Sequence, residues 1–276
     1  MSTSNVVEEA HVVEPDWIAE HLDDPTVRLV EVDVSRAAYE QGHIPGAVLW
    51  NAYVDLRHPD YTPIDADEFE RLFSSSGLTP EKTVVCYGYG AHLGFWLLRS
   101  FGHERVRVMD GPRDKWLDAG YGWSDEVPAL APAQYARSHQ SQLGSSRATV
   151  QGLVGAPDPV ILDVRSEAEY DGDRFWPSGA TEDAGRAGHI PGSVHLPIEK
   201  LRTEDGRFRE PDEMRAVLRE HGVTPDRRIV VYCTIGNRAS QAWFALNHLL
   251  DYSDADVYYG SWAEWGTVTD TPVERS

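Results

Sequence analysis

The chain is written twice, and this duplication restricts its fold more than any other feature. Arg28 to Trp50 reads RLVEVDVSRAAYEQGHIPGAVLW, and Val160 to Pro197 reads VILDVRSEAEYDG, an insertion, then GRAGHIPGSVHLP. Each copy holds an apolar run ending in Asp (Asp33, Asp163), a short helical stretch with Tyr (Tyr39, Tyr170), and His-Ile-Pro-Gly before a small residue. A second pair matches the run starting at Thr83 (TVVCYGYG) with that starting at Ile229 (IVVYCTIG), each leading into an aromatic-rich helical segment. A third pair matches VMDGPRDKW from Val108 with YYGSWAEW from Tyr258. The repeat takes up about half of the 276 residues. That is far longer than a solenoid unit, so it predicts two homologous domains. We expect residues 1–126 to form the first and residues 147–276 the second, joined by a linker over 127–146 that is rich in Pro, Ala, Ser and Gln.

Within each half, short Val/Ile/Leu runs alternate with helix-like segments. In the second half the pattern predicts strands at Val160–Asp163, Ser193–Leu196, Ile229–Cys233 and Ala255–Tyr259. It predicts helices at Thr149–Gly155, Pro211–His221 and Ala239–Leu250. Such alternation implies an α/β fold, each domain a mostly parallel sheet with helices on both faces. Ligands of such sheets sit beyond the carboxyl ends of the strands, where Asp163 and Cys233 are expected.

Cys233 is the strongest candidate for chemistry. An apolar β-branched run ends on it, a Gly-containing loop follows, and a helix comes next. A thiol at that junction meets backbone N–H groups and a helix N-terminus, both of which favour the thiolate. Arg238 closes the loop with a fixed positive charge. The loop amides from Thr234 through Ile235, Gly236 and Asn237 to Arg238 are expected to converge as an anion-binding nest. Gly236 supplies backbone freedom. Aligned by its strand, the first half places Tyr87 opposite Cys233, in a loop about two residues shorter that has no Arg opposite Arg238. That predicts an inactive first domain. The other cysteine, Cys86, lies within a β-run and is expected to be buried.

The formal net charge of -20 argues against nucleic acid or an anionic membrane as partner. The first fifteen residues show no secretory pattern, and no apolar run has the length of a membrane span. Two cysteines whose spacing fits no zinc pattern suit a cytoplasmic chain without a metal or other cofactor.

These motifs together resemble the tandem-domain rhodanese family, the sulfurtransferases. Tyr39 through Ala47 (YEQGHIPGA), Cys233 through Arg238, and Tyr258 through Trp265 (YYGSWAEW) are similar to its first signature, active-site loop and C-terminal signature. Tyr259 departs from the last, where a small, acidic or Pro residue is usual. The resemblance implies two rhodanese-like domains with catalysis in the second only. It implies that Cys233 takes the sulfane sulfur of thiosulfate as a persulfide and passes it to cyanide or a thiol acceptor. Vertebrate-type relatives carry an Arg where this chain has Glu169 and a Lys where it has Ile235, and both cations help bind thiosulfate. Arg186 or Arg174, in the insertion Asp171 to Arg186, are candidates to replace them. The insertion otherwise reads as a surface loop.

Alternative readings are 3-mercaptopyruvate sulfurtransferase, a Cys-dependent phosphatase, and a non-catalytic binding module. Mercaptopyruvate enzymes favour a loop unlike Thr234-Ile-Gly-Asn-Arg. Phosphatases of related fold need one more residue between Cys and Arg. Asp163 and Arg165 are expected as a hydrogen-bonded pair bracing the loop, since buried charges must be paired. His43 and His189 are expected to fix turns, Trp262 and Trp265 to pack in a core or between domains, and Glu264 to cap a helix or bond a backbone N–H.

Overall fold

The computed structural model describes residues 11–59, 62–131, 133–136, 144–178 and 185–276. The first half contains strands β1 (Val27–Asp33), β2 (Val48–Asn51), β3 (Thr83–Tyr87) and β4 (Val106–Val108). Its helices are α1 (Pro15–Glu20), α2 (Arg36–Gln41), α3 (Ala66–Ser75), α4 (Ala91–Ser100) and α5 (Lys115–Asp118). The second half contains β5 (Val160–Asp163), β6 (Val194–His195), β7 (Ile229–Tyr232) and β8 (Ala255–Val257). Its helices are α6 (Arg147–Leu153), α7 (Glu167–Tyr170), α8 (Pro211–Glu220), α9 (Asn237–Phe244) and α10 (Ser261–Thr267).

The two sheets have the orders β2-β1-β3-β4 and β6-β5-β7-β8, and every pairing is parallel. The fold is therefore the expected duplicated α/β architecture. β5 and β7 are buried along their whole length, as strands covered by helices on both faces must be. Their Val/Ile runs follow from that burial.

Several elements differ from their predicted bounds: β7 and β8 end one and two residues early, α6 is shifted towards the N-terminus by two, and α8 ends at Glu220. β6 is only Val194–His195. α9 starts at Asn237, so the loop after Cys233 is shorter than expected. Beyond Phe244 the helix widens to a π-helical turn over Ala245–Leu249.

The sheet register corrects the alignment of the two halves. Val30 and Leu162 are equivalent, because each pairs with the first residue of the next strand, Val48 or Val194. Val30 faces Cys86 and Leu162 faces Val231. Tyr87 therefore matches Tyr232, and Gly88 stands at the position of Cys233. Both tyrosine hydroxyls accept the amide after the turn histidine: Ile44 N–H at 3.0 Å and Ile190 N–H at 3.1 Å. The adjacent Cys-Tyr and Tyr-Cys pairs made a one-residue slip look natural in the sequence.

By the same register Glu31, not Asp33, matches Asp163. Arg113 bonds Glu31 and the Gly42 carbonyl, as Arg165 bonds Asp163 and the Gly188 carbonyl. The turn histidines repeat too. His43 bonds the Tyr39 carbonyl and stacks on its ring, and His189 does the same with Tyr170.

The largest core cluster runs through both halves. α4 and α9 pack side by side at its centre, with Phe95 edge-on to Phe244 at 5.0 Å and Trp96 against Tyr259 at 5.2 Å. Of the 127–146 segment, Ala133 N–H donates to Ser74 O and buried Tyr135 packs on Phe73 in the first half, whereas Ser145 donates its amide to Val257 O and its hydroxyl to Asp256 in the second. Among the described residues, no helix is long and apolar enough to cross a membrane.

Candidate active site

Cys233 directly follows β7 and is buried, with 1% of its surface exposed. The four carbonyls from Cys233 to Gly236 are all held away from the sulfur. Trp262 and Ala263, in the first turn of α10, donate their amides to Cys233 O and Thr234 O, each at 2.9 Å. Arg57, from the first half, donates to Ile235 O. Ser240 donates through both its amide and its hydroxyl to Gly236 O, at 2.9 and 2.7 Å.

A trans peptide points its N–H opposite to its C=O, so the Ile235 carbonyl taken by Arg57 turns the Gly236 N–H the other way. The Gly236 amide does meet Cys233 Sγ, at 3.1 Å. Gly236 has φ +86°, in the left-handed region, and a Cβ there would lie 2.7 Å from the Tyr259 ring. Glycine is required on both counts. Gly236 is also the residue before α9 and offers no side-chain cap. The first-turn amides of α9 are thus left for an anion at the sulfur.

Arg238 does not reach into this nest as a free cation. Its guanidinium forks onto Glu169, Nη1 to Oε2 at 2.8 Å and Nη2 to Oε1 at 2.7 Å. Nη2 also meets Thr234 Oγ1 at 2.7 Å, and that hydroxyl donates to Glu169 Oε1 at 2.6 Å. Ser166 completes the set by donating its hydroxyl and amide to Oε2 at 2.7 and 3.2 Å. Burial alone would raise the Glu169 pKa, but the Arg238 ion pair and the two hydroxyls overcome it and hold the carboxyl at about 2. Burial likewise works against the Arg238 cation, yet Glu169 and the nearby Cys233 charge keep its pKa above the ordinary arginine value. Arg238 is therefore a brace across the loop.

Asp163 and Arg165 form a wholly buried bidentate pair one layer behind, with Nε to Oδ1 at 3.0 Å and Nη2 to Oδ2 at 2.6 Å. Arg165 also lies 4.5 Å over the Trp262 ring at the start of α10. This pair positions α10, which in turn holds the loop carbonyls.

Arg186 is placed elsewhere. It donates to the carbonyls of Trp265, Val268 and Thr271 and closes the C-terminal turn. Arg174 donates to the Ser166 hydroxyl at 3.2 Å. Arg186 is thus bonded at the C-terminal turn, whereas Arg174 bonds the serine that also holds Glu169. Of the insertion, 179–184 lie outside the described residues. Phe175 and Trp176 are buried in a cluster with Trp262 and Trp265, so its start is anchored in the core. Glu264 accepts the Tyr258 hydroxyl at 2.8 Å. No group of three or more His, Cys, Asp or Glu suited to a metal occurs among the described residues.

Three contributions were missed in the sequence. Glu169 was noted only as a lost cation, although Ser-x-x-Glu from Ser166 forms a capping box that points the carboxylate at the loop. Asn237 is expected for its loop amide, and what the sequence does not show is its side chain, which donates to Tyr89 O across the domain boundary at 3.1 Å. Arg57 lies between repeat motifs and gave no local signal.

The duplicated α/β chain with a cysteine loop at a strand end has the architecture of a tandem rhodanese-like protein, and the names of its relatives place it among the sulfurtransferases. The Rhodanese-like domain profile matches residues 14–119 and 146–267, and the chain belongs to that family. A Haloferax volcanii protein whose name gives thiosulfate sulfurtransferase as a provisional assignment is 38% identical over 288 residues, covering 100% of this chain and 99% of its own. The sulfur carrier protein TtuD of Thermus thermophilus is 37% identical over 280 residues, covering 96% of each chain. Among solved structures, the anaerobic ergothioneine biosynthesis enzyme of Chlorobium limicola with trimethyl histidine aligns at TM-score 0.84 and 24% identity. That alignment covers 96% of this chain and 70% of the other, and at this identity it speaks for the fold alone.

Proposed function

We propose that this chain moves the sulfane sulfur of thiosulfate to a thiophilic acceptor, cyanide or a thiol, through a persulfide on Cys233. The observation that carries the reading is the Gly236 amide on Cys233 Sγ at 3.1 Å, within a loop whose carbonyls all point away. The Cys233 thiolate attacks the outer sulfur of thiosulfate. A new S–S bond forms, the bond to the sulfonate breaks, and sulfite leaves with its electron pair. The acceptor then attacks the outer sulfur, and Cys233 returns as thiolate. The amides stabilise the anion in both states, as preorganised donors do for developing charge.

The division into residues 1–126, 127–146 and 147–276 is part of this proposal, with the first domain non-catalytic because Gly88 occupies the cysteine position. Two free cysteines suit a reducing, cytoplasmic setting. One observation favours 3-mercaptopyruvate as a second reading. Arg238 is neutralised by Glu169, so a donor of lower charge than thiosulfate loses less at this site.

The test compares both donors with cyanide as acceptor, in the wild type and in Cys233→Ser. We expect faster turnover with thiosulfate, no turnover in the variant, and one extra sulfur in the intact mass after donor treatment, removed by cyanide. Turnover in Cys233→Ser at the wild-type rate would reject the mechanism.

A further inference from the structure

We infer that Arg57, a residue of the non-catalytic half, is a positioning residue for the Cys233 thiolate and acts through a single peptide group. The inference rests on the reading of Cys233 as the reactive thiol. Arg57 is 3% exposed and donates from Nη2 to two carbonyls of the other half, Ile235 O and Tyr259 O, the latter at 3.1 Å. Ile235 O and Gly236 N belong to the same peptide unit. That unit is planar and trans, so its carbonyl and its N–H point in opposite directions. With Ile235 O fixed on a guanidinium on one side, the Gly236 N–H is aimed at Cys233 Sγ on the other. The cation also polarises the amide, which strengthens it as a donor.

The geometry around this peptide is over-determined. The Arg57 guanidinium lies 4.0 Å from the centre of the Tyr259 ring. The Tyr259 hydroxyl donates to Leu56 O at 3.0 Å, next to Arg57 in the chain. The ring itself closes the space beside the Gly236 Cα. Tyr259 is the residue at which the C-terminal signature departs from its usual pattern. Here the ring gives Arg57 a face to lie on. Among the carbonyls that shape the nest, those of Cys233, Thr234 and Gly236 are held by their own half. Ile235 O is the one held by the other half. The first domain, with glycine in place of the cysteine, thereby still acts on the reacting sulfur.

The test measures alkylation of Cys233 by iodoacetamide at fixed neutral pH, read by peptide mass so that Cys86 is followed separately. Misaiming one charge-stabilising amide should slow Cys233 alkylation roughly tenfold in Arg57→Met. Arg57→Lys, which keeps the buried charge without the planar fork, should fall between. Tyr259→Phe, which loses only the bond to Leu56, should lower the melting temperature and leave alkylation at the wild-type rate. A purely structural role would lower stability in all three without slowing alkylation. A wild-type alkylation rate in Arg57→Met, or in Arg57→Lys if the Met variant does not fold, overturns the inference. Alkylation needs no sulfur donor. An intact effect with no sulfur transfer therefore rejects only the proposed function, and intact transfer with no effect rejects only the role of Arg57.

Discussion

Glu169→Gln is the substitution whose cost can be worked most directly from the structure. Glu169 accepts from both Nη atoms of Arg238, from Thr234 Oγ1, and from the amide and hydroxyl of Ser166. Glutamine keeps the shape but removes the charge, and its NH2 replaces one acceptor. Arg238 is then a buried cation without a counter-charge, a situation that costs about 3–5 kcal/mol. The pH linkage gives a second route to the magnitude. A carboxyl held at about 2 in the fold against an ordinary 4.5 contributes on the order of 3 kcal/mol at neutral pH. The two routes agree. Because the folded value lies below the unfolded one, this stability is complete above pH 4.5 and is lost as the pH falls towards 2. Urea unfolding of the wild type and Glu169→Gln should differ by about 3 kcal/mol at pH 7, and the gap should close through that acidic window. Sulfur-transfer kcat should also fall, because the brace holds the loop. An equal stability at pH 7, or a gap that stays constant down to pH 3, would show that the ion pair does not carry the loop.

Three further outcomes are expected. Gly236→Ala forces a side chain into a left-handed backbone at φ +86° and against the Tyr259 ring. It should cost about 1–3 kcal/mol in thermal or urea unfolding and depress kcat, whereas a wild-type kcat would show that the loop relaxes freely. His92 is buried on α4 with its ring edge-on to Phe244 of α9, and burial first, then Arg202, push its pKa down to about 3 against the partial support of Asp110. The unfolded chain binds that proton near pH 6.5 and the fold does not. Stability should therefore drop by up to about 1.4 kcal/mol per pH unit below 6.5, and His92→Phe should flatten the slope between pH 5 and 6.5. Finally, a chain of charge -20 repels a dianion. The kcat/KM for thiosulfate should rise as ionic strength increases towards about 0.15 M, where screening acts within about 8 Å, and a flat salt profile would show that the local nest alone governs approach.

What was legible in the sequence was what repeats or has a period. The duplicated motifs and the β-branched runs gave two parallel sheets and put Cys233 at a strand end. Gly236 marked the turn that brings its amide to the sulfur, while Arg238 proved to be a brace on Glu169. The errors came where local spacing is ambiguous. Tyr87 was set against Cys233 because the chain has Cys-Tyr in one half and Tyr-Cys in the other, and only the pairing of Val30 and Leu162 with their neighbours fixes the frame. Asp33 was matched to Asp163 because each ends an apolar run, although the register gives that place to Glu31. Arg186 looked like a substrate cation by charge alone, yet three carbonyls near the C-terminus claim it. Arg57 was invisible because its partners, Ile235 and Tyr259, are far away in the sequence. Contacts between halves leave no period to read.

The continuous packing of Phe95 and Trp96 against Phe244 and Tyr259 has a consequence for how the duplicated chain can change. Cutting between the halves would strand a wet aromatic wall on each piece, so neither fragment should persist as an independent soluble unit. A half without a reactive thiol of its own cannot be discarded, because it is the floor on which its sister stands.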